Sequence, residues 1–78
     1  MTLKAAQNTD LPLIEAVCKA FHLHYNVNSR LMNWDLNPDC DCSWDDLPQS
    51  NKSVMRETIS AFFANGVINR EAVKEHLL

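Results

Sequence analysis

Apolar side chains recur at three- and four-residue spacing in two long stretches of this chain and lose that rhythm between them. In the first stretch Ile14, Val17, Cys18, Phe21 and Tyr25 fall on one stripe of a helix. Asp10 stands before the stripe as a cap, and Leu11 and Pro12 fill the opening turn, where the N–H that proline lacks has no intrahelical partner to lose. This spacing predicts a helix over about 11–25. In the second stretch Met55, Ile59, Phe62 and Phe63 share a face flanked by Val54, Thr58 and Ala61. Pro48 suits the first helical position, Asn65 and Gly66 supply a left-handed stop, and Val67 then folds back onto Phe62, so a second helix is predicted over 48–65. Asn69 caps a third over 70–77, with Ile68 stapled onto Val73 and with Ala72, Val73 and Leu77 facing inward. No stretch alternates apolar and polar residues with β-branched enrichment, so strands are not expected. The expected fold is all-α: a small irregular or orthogonal three-helix bundle in a single domain, residues 1–78.

The polar middle is the distinctive part. Residues 26–43 carry Asn26, Asn28, Asn33, Asn37 and Pro38, and only Leu31, Met32, Trp34 and Leu36 are available to anchor them, with a helical turn expected near 29–34. Ser43 followed by Asp46 fits a capping pattern for a short turn that carries Trp44 and Leu47. A connection this long in a compact domain is commonly either functional or disordered, and two tryptophans argue against disorder. Charge sharpens the picture. Of the ten acidic residues, Asp35, Asp39, Asp41, Asp45 and Asp46 fall within positions 35–46, where there is no Lys or Arg. Together with the formal net charge of −3, this acidic loop (26–46) disfavours direct nucleic-acid binding, which needs cations to displace counterions from phosphate. It favours a protein partner with a basic surface. Tryptophan contributes large apolar area and a donor at interfaces, so the partner-binding set expected is Trp34, Asp35, Asp39, Asp41, Asp45 and Asp46, while Trp44, next to a core helix, is expected inside.

Size and composition narrow the remaining classes. Seventy-eight residues make a small core, which leaves self-association into a homodimer open. Charges interrupt every apolar run before it reaches membrane-spanning length, so no membrane role is expected. Residues 1–10 lack a basic region followed by an apolar run, so a cytoplasmic location is the expectation, and Cys18, Cys40 and Cys42 read as thiols. A cysteine nucleophile with His22 or His24 as base can be drawn, but a chain with one Gly gives little sign of an oxyanion hole, and no enzymatic activity is expected. Two ion sites can also be drawn. Asp35, Asn37, Asp39, Asp41, Ser43 and Asp46 match the oxygen positions of a calcium loop, yet Cys40 replaces its Gly and Asp46 its bidentate Glu. His22, His24, Cys40 and Cys42 make a zinc set on paper, but pairs separated by a single residue diverge on a helix. No metal or other cofactor is assigned, and both ion sites stand as alternatives to a solvated acidic loop.

The run Trp44-Asp45-Asp46-Leu47-Pro48, followed by Lys52, Arg56 and an amphipathic stretch ending in Asn65-Gly66, resembles the small helical modules of the ryanodine-receptor-repeat type found in bacterial and phage proteins. The resemblance spans about residues 14–66, with His22 or His24 in the place of the family's helix histidine, and the family's second Trp-containing half has no counterpart here. It implies a helical recognition module without catalysis and with a taste for nucleotide-like ligands. Trp44, Leu47 and Pro48 would then be fold-defining, and His24, Tyr25 and Asn26 ligand-contacting, with Trp34 nearby. Two functions follow as expectations. One is a non-enzymatic protein inhibitor or adaptor of phage or mobile-element type, its carboxylates imitating phosphates as in anti-CRISPR and other anti-defence proteins, an analogy of surface chemistry. The alternative is a small-ligand module using His24, Tyr25, Asn26 and Trp34.

Overall fold

The computed structural model of the protein describes residues 10–78; residues 1–9, the stretch without an export-signal pattern, lie outside the described residues. Three α-helices make up the described fold: α1 (Leu11–Leu31), α2 (Gln49–Ala64) and α3 (Arg70–Leu77). Two single 3-10 turns, Pro38–Cys40 and Trp44–Asp46, shape the long connection between α1 and α2. Among the described residues there is no strand, and no helix is long and apolar enough to cross a membrane. The all-α three-helix expectation therefore holds. The centre of the arrangement is α1, which packs against α2, α3 and the Trp44–Asp46 turn.

The first helix runs six residues beyond the expected end at 25, and the reason lies in what stops it. Asn26 and Asn28 do not break the helix; Asn26 is buried within it, and Ser29 returns its hydroxyl to the carbonyl of Tyr25 at 2.7 Å. The stop is Asn33, whose φ of 54° places it in the left-handed region. The Asn33 and Trp34 amides then close back onto the carbonyls of Arg30 and Ser29, satisfying two of the last orphan acceptors of α1. The end of α2 repeats this closure with Gly66 at φ 73°: the Gly66 amide donates to Phe63 and the Val67 amide to Phe62. Val67 thus folds back onto Phe62 through its backbone, while its side chain stays exposed. Asn69 caps α3 as expected, accepting from the amides of Glu71 and Ala72.

The core is small: Leu13, Ile14 and Cys18 of α1 meet Trp44 and Leu47 of the connection, Ile59 and Phe63 of α2, and Val73 of α3. Several expected core positions lie elsewhere. Phe21, Tyr25 and Phe62 are exposed, as are Ala72 and Leu77. Each i+4 step on a helix advances about 40° around its axis. The buried line Ile14, Cys18, His22, Asn26 therefore swings away from Phe21 and Tyr25 towards the side covered by the connection. On α3 a single turn faces the core, and Val73 occupies it.

Asp10 also departs from its expected role. Its side chain makes no capping bond; its two carboxylate oxygens instead accept from Nε and Nη2 of Arg70, both at 2.8 Å, across sixty residues of sequence. The carboxylate is buried, and the Arg70 guanidinium lies 5.8 Å above the Phe63 ring, so one residue ties the start of α1, the start of α3 and the core together. Arg70→Ala is expected to lower stability, because it removes both of these hydrogen bonds from the buried Asp10 carboxylate. In a denaturant-melt double-mutant cycle with Asp10→Asn, the two losses should be strongly non-additive.

Candidate functional site

The acidic loop is pinned from its inner side. His22 and Asn26, where an amphipathic helix would ordinarily bury Leu or Val, reach the backbone of the connection instead. Nε2 of His22 lies 2.6 Å from the Cys42 carbonyl, which only accepts, so that nitrogen carries the proton. The Asn26 amide donates to the carbonyls of Cys40 at 3.0 Å and Cys42 at 3.3 Å. Its 3.2 Å approach to His22 Nε2 brings two donors together and is not a hydrogen bond. Turning the amide over would set Oδ1 against two carbonyl oxygens, so Oδ1 stays on the other side, buried and without a hydrogen-bond partner among the described residues.

Further ties hold the rest. Glu15 receives a bidentate Arg56 at 2.9 Å on each bond and the Trp44 indole N–H at 2.8 Å, with Arg56 stacked 5.5 Å above the Trp44 ring. Trp44 is accordingly buried, as expected, and so is Leu47. Lys52, itself buried, donates its ammonium to the Asp45 carbonyl at 2.8 Å. The Asn37 side chain accepts the Asp39 amide and shapes the first 3-10 turn.

What this leaves outward is the charge. Asp35, Asp39 and Asp45 are exposed and form no ion pair among the described residues. Asp46 accepts the Ser43 hydroxyl at 3.0 Å. Asp41 differs from the expected set, because Arg30, brought alongside by the longer α1, pairs with it. Trp34 emerges at 65% exposure just after the end of α1.

Beside the loop lies an open groove of about 910 Å³ between α1, the 34–40 segment and α2. Phe21 and Tyr25, stacked with ring centroids 5.9 Å apart, form one wall; Val54, Met55 and Phe62 form the other. Leu47 and Ile59 contribute from the core, and Trp34, Asp35 and Leu36 of the connection also line it. Three of the four ligand-contact candidates, Tyr25, Asn26 and Trp34, line this one space. His24 does not; His22, two residues earlier and on the buried line, lines it in its place. Periodicity alone places Phe21 and Phe62 on the inward stripes and Val54 beside one, so it does not show them as groove residues. The available signal was an apolar stripe on α1 wider than one packed neighbour can cover.

Burial pushes the Cys18 thiol up to about 11. Partial burial, followed by the nearby Asp46 carboxylate, also raises Cys42, the opposite of the shift that activates a nucleophile. Among the described residues no three His, Cys, Asp or Glu side chains converge on a point that could hold a metal. His22 meets the Cys42 carbonyl and not its sulfur, and the calcium register is divided between two 3-10 turns.

No protein-family model matches the chain, and comparisons with curated proteins and with solved structures likewise give no match.

The Glu15 carboxyl is lowered from its ordinary 4.5 to about 2, chiefly by the Arg56 hydrogen bonds, against the opposing effect of burial. A lowered carboxyl stabilises the fold fully above its unfolded value and loses that contribution as the pH falls from about 4.5 towards 2. Acid titration of stability should show that loss, and Glu15→Gln should be weaker at neutral pH and flatter across the same window. Asn26→Ala should cost about 1–3 kcal/mol by stripping donors from the two loop carbonyls. Amide hydrogen exchange in residues 38–43 should then accelerate more than in α3.

Proposed function

We propose that this chain is a non-enzymatic, acidic recognition protein that docks its 34–46 segment onto the basic surface of a protein partner. The observation that carries the proposal is the set of exposed carboxylates of Asp35, Asp39 and Asp45, none in an ion pair among the described residues, beside the exposed ring of Trp34 on a loop fastened from within. Charges held in this way steer a cationic partner during encounter, and a loop already ordered before contact loses less entropy on binding. Trp34 would supply the apolar anchor and the carboxylates the polar rim. Carboxylates spaced along a surface can imitate phosphates, which suits a partner surface that otherwise holds nucleic acid. An inhibitor or adaptor of the anti-defence kind made by phages, acting in the cytoplasm, is the corresponding biological setting. The raised Cys42 thiol supports recognition over catalysis.

A second reading has one observation in its favour. Tyr25 and Asn26, two of the three residues that the resemblance to ryanodine-receptor-repeat modules singles out, share the groove with Trp34, and this space suits a small ligand with an apolar body. Thermal-shift screening against nucleotides separates the readings, because a ligand that binds only the folded state raises its melting temperature.

Replacing Asp35, Asp39 and Asp45 together by Asn should slow association with the partner by about tenfold at low salt and flatten its dependence on ionic strength. Stopped-flow or surface-based kinetics at several salt concentrations checks this. Unchanged rates and salt dependence would refute the electrostatic reading.

A further inference from the structure

The groove is long enough to seat a short helix. Its α2 wall extends from Ser50 to Phe62, which at 1.5 Å per residue is about 18 Å of continuous lining. Apolar anchors at i, i+4 and i+7 of an incoming helix span about 10 Å, so such a segment fits along α2 with room at either end. Opposite it, Phe21 and Tyr25 form a wall only about one turn long, and Trp34 and Leu36 of the connection also line the groove.

Charge selects among the occupants. Among the described residues Asp35 is the one charged residue in the lining, and Asp39 stands exposed in the adjoining turn, whose Cys40 also lines the groove. Arg30, the cation that reaches the loop, is paired with Asp41, and Lys52 is buried against the Asp45 carbonyl. A second copy of this chain, net charge −3, would bring another acidic rim against this one. A helix with apolar anchors and flanking Lys or Arg meets an apolar lining and an edge whose Asp35 and Asp39 form no ion pair among the described residues.

We propose that the groove between α1, α2 and the 34–40 segment receives an amphipathic, basic-flanked helix of the partner protein, with Val54 and Phe62 gripping its apolar face and Trp34 closing over one end. The inference rests on the recognition reading above and specifies how the partner is held. Electrostatics of the loop would govern arrival, and burial in the groove would govern residence.

The test is a titration of the full chain with a panel of helical peptides about fourteen residues long, with Leu, Ile, Met or Phe at i, i+4 and i+7 and Lys or Arg on both flanks. Binding is read from the Trp34 indole N–H in NMR spectra, with the Trp44 indole, bonded to Glu15, as internal control. At least one peptide should shift the Trp34 signal and leave Trp44 in place. Val54→Gln and Phe62→Gln, both at exposed positions, should each weaken binding by about tenfold, and a central proline in the peptide should abolish it. The proposal fails if no member of the panel binds, if serine at the three anchor positions leaves affinity unchanged, or if the two variants bind normally. It also fails if sedimentation shows a dimer that Phe62→Gln dissolves, because a second copy then fills the groove. If the serine peptides bind as tightly as the apolar ones, and Asp35→Asn with Asp39→Asn removes that binding, the groove proposal falls and the acidic-loop reading stands. Apolar peptides that bind equally well with acidic flanks overturn both.

Discussion

His22 and Asn26 hold the connection to α1 by hydrogen bonds to the backbone carbonyls of Cys40 and Cys42, and the rest of the arrangement depends on that contact. The inward line of α1 begins with Ile14 and Cys18, which bury hydrocarbon and sulfur against α2 and Trp44, and then becomes polar. An apolar continuation would have drawn another helix or its own loop into a deeper core. The polar one fastens main chain, and main-chain hydrogen bonds fix position far more tightly than apolar contact does. The connection is thereby held against one side of α1 while the neighbouring side, with Phe21 and Tyr25, is left uncovered. The groove follows from where the polar residues stand.

So small a core needs support, and the chain supplies it with ion pairs between residues distant in sequence. Asp10 with Arg70 and Glu15 with Arg56 each join α1 to another helix, and in each the guanidinium also covers an aromatic ring, Phe63 and Trp44 respectively. Planar arginine suits this double duty: its edge satisfies a carboxylate while its face covers the ring. Arg56 and Arg70 are committed to this internal work, and Lys52 is buried against the Asp45 carbonyl.

Much of the scaffold was legible in the residues. The Asn69 cap, the Asn65-Gly66 stop, the Ser43–Asp46 turn and the burial of Trp44 all depend on local chemistry within a few positions, which a sequence displays directly. Two misreadings share another origin. Asn33 ends α1 through its own left-handed backbone, but Asn26 and Asn28 offer the same side chain earlier, and only the tertiary fold shows that Asn26 points at carbonyls. Likewise, periodicity groups Phe21 and Tyr25 with Ile14 because all three lie on one stripe; which part of a stripe is covered depends on where its neighbours dock. The partner-binding set was legible as charge, but the pairing of Asp41 with Arg30 was not, since it required the extra turns of α1.

The length of α1 has a further consequence. A helix links displacement to rotation, so one residue added or removed between Asn26 and Asn33 would move the exit of the chain by about 1.5 Å and turn it by about 100°. Trp34 would then leave on a different bearing, away from Phe62, although every side chain before the insertion kept its place. The helix therefore acts as a ruler and a protractor at once, and its tolerance for insertions is lowest in the segment where its sequence looks most like an ordinary loop.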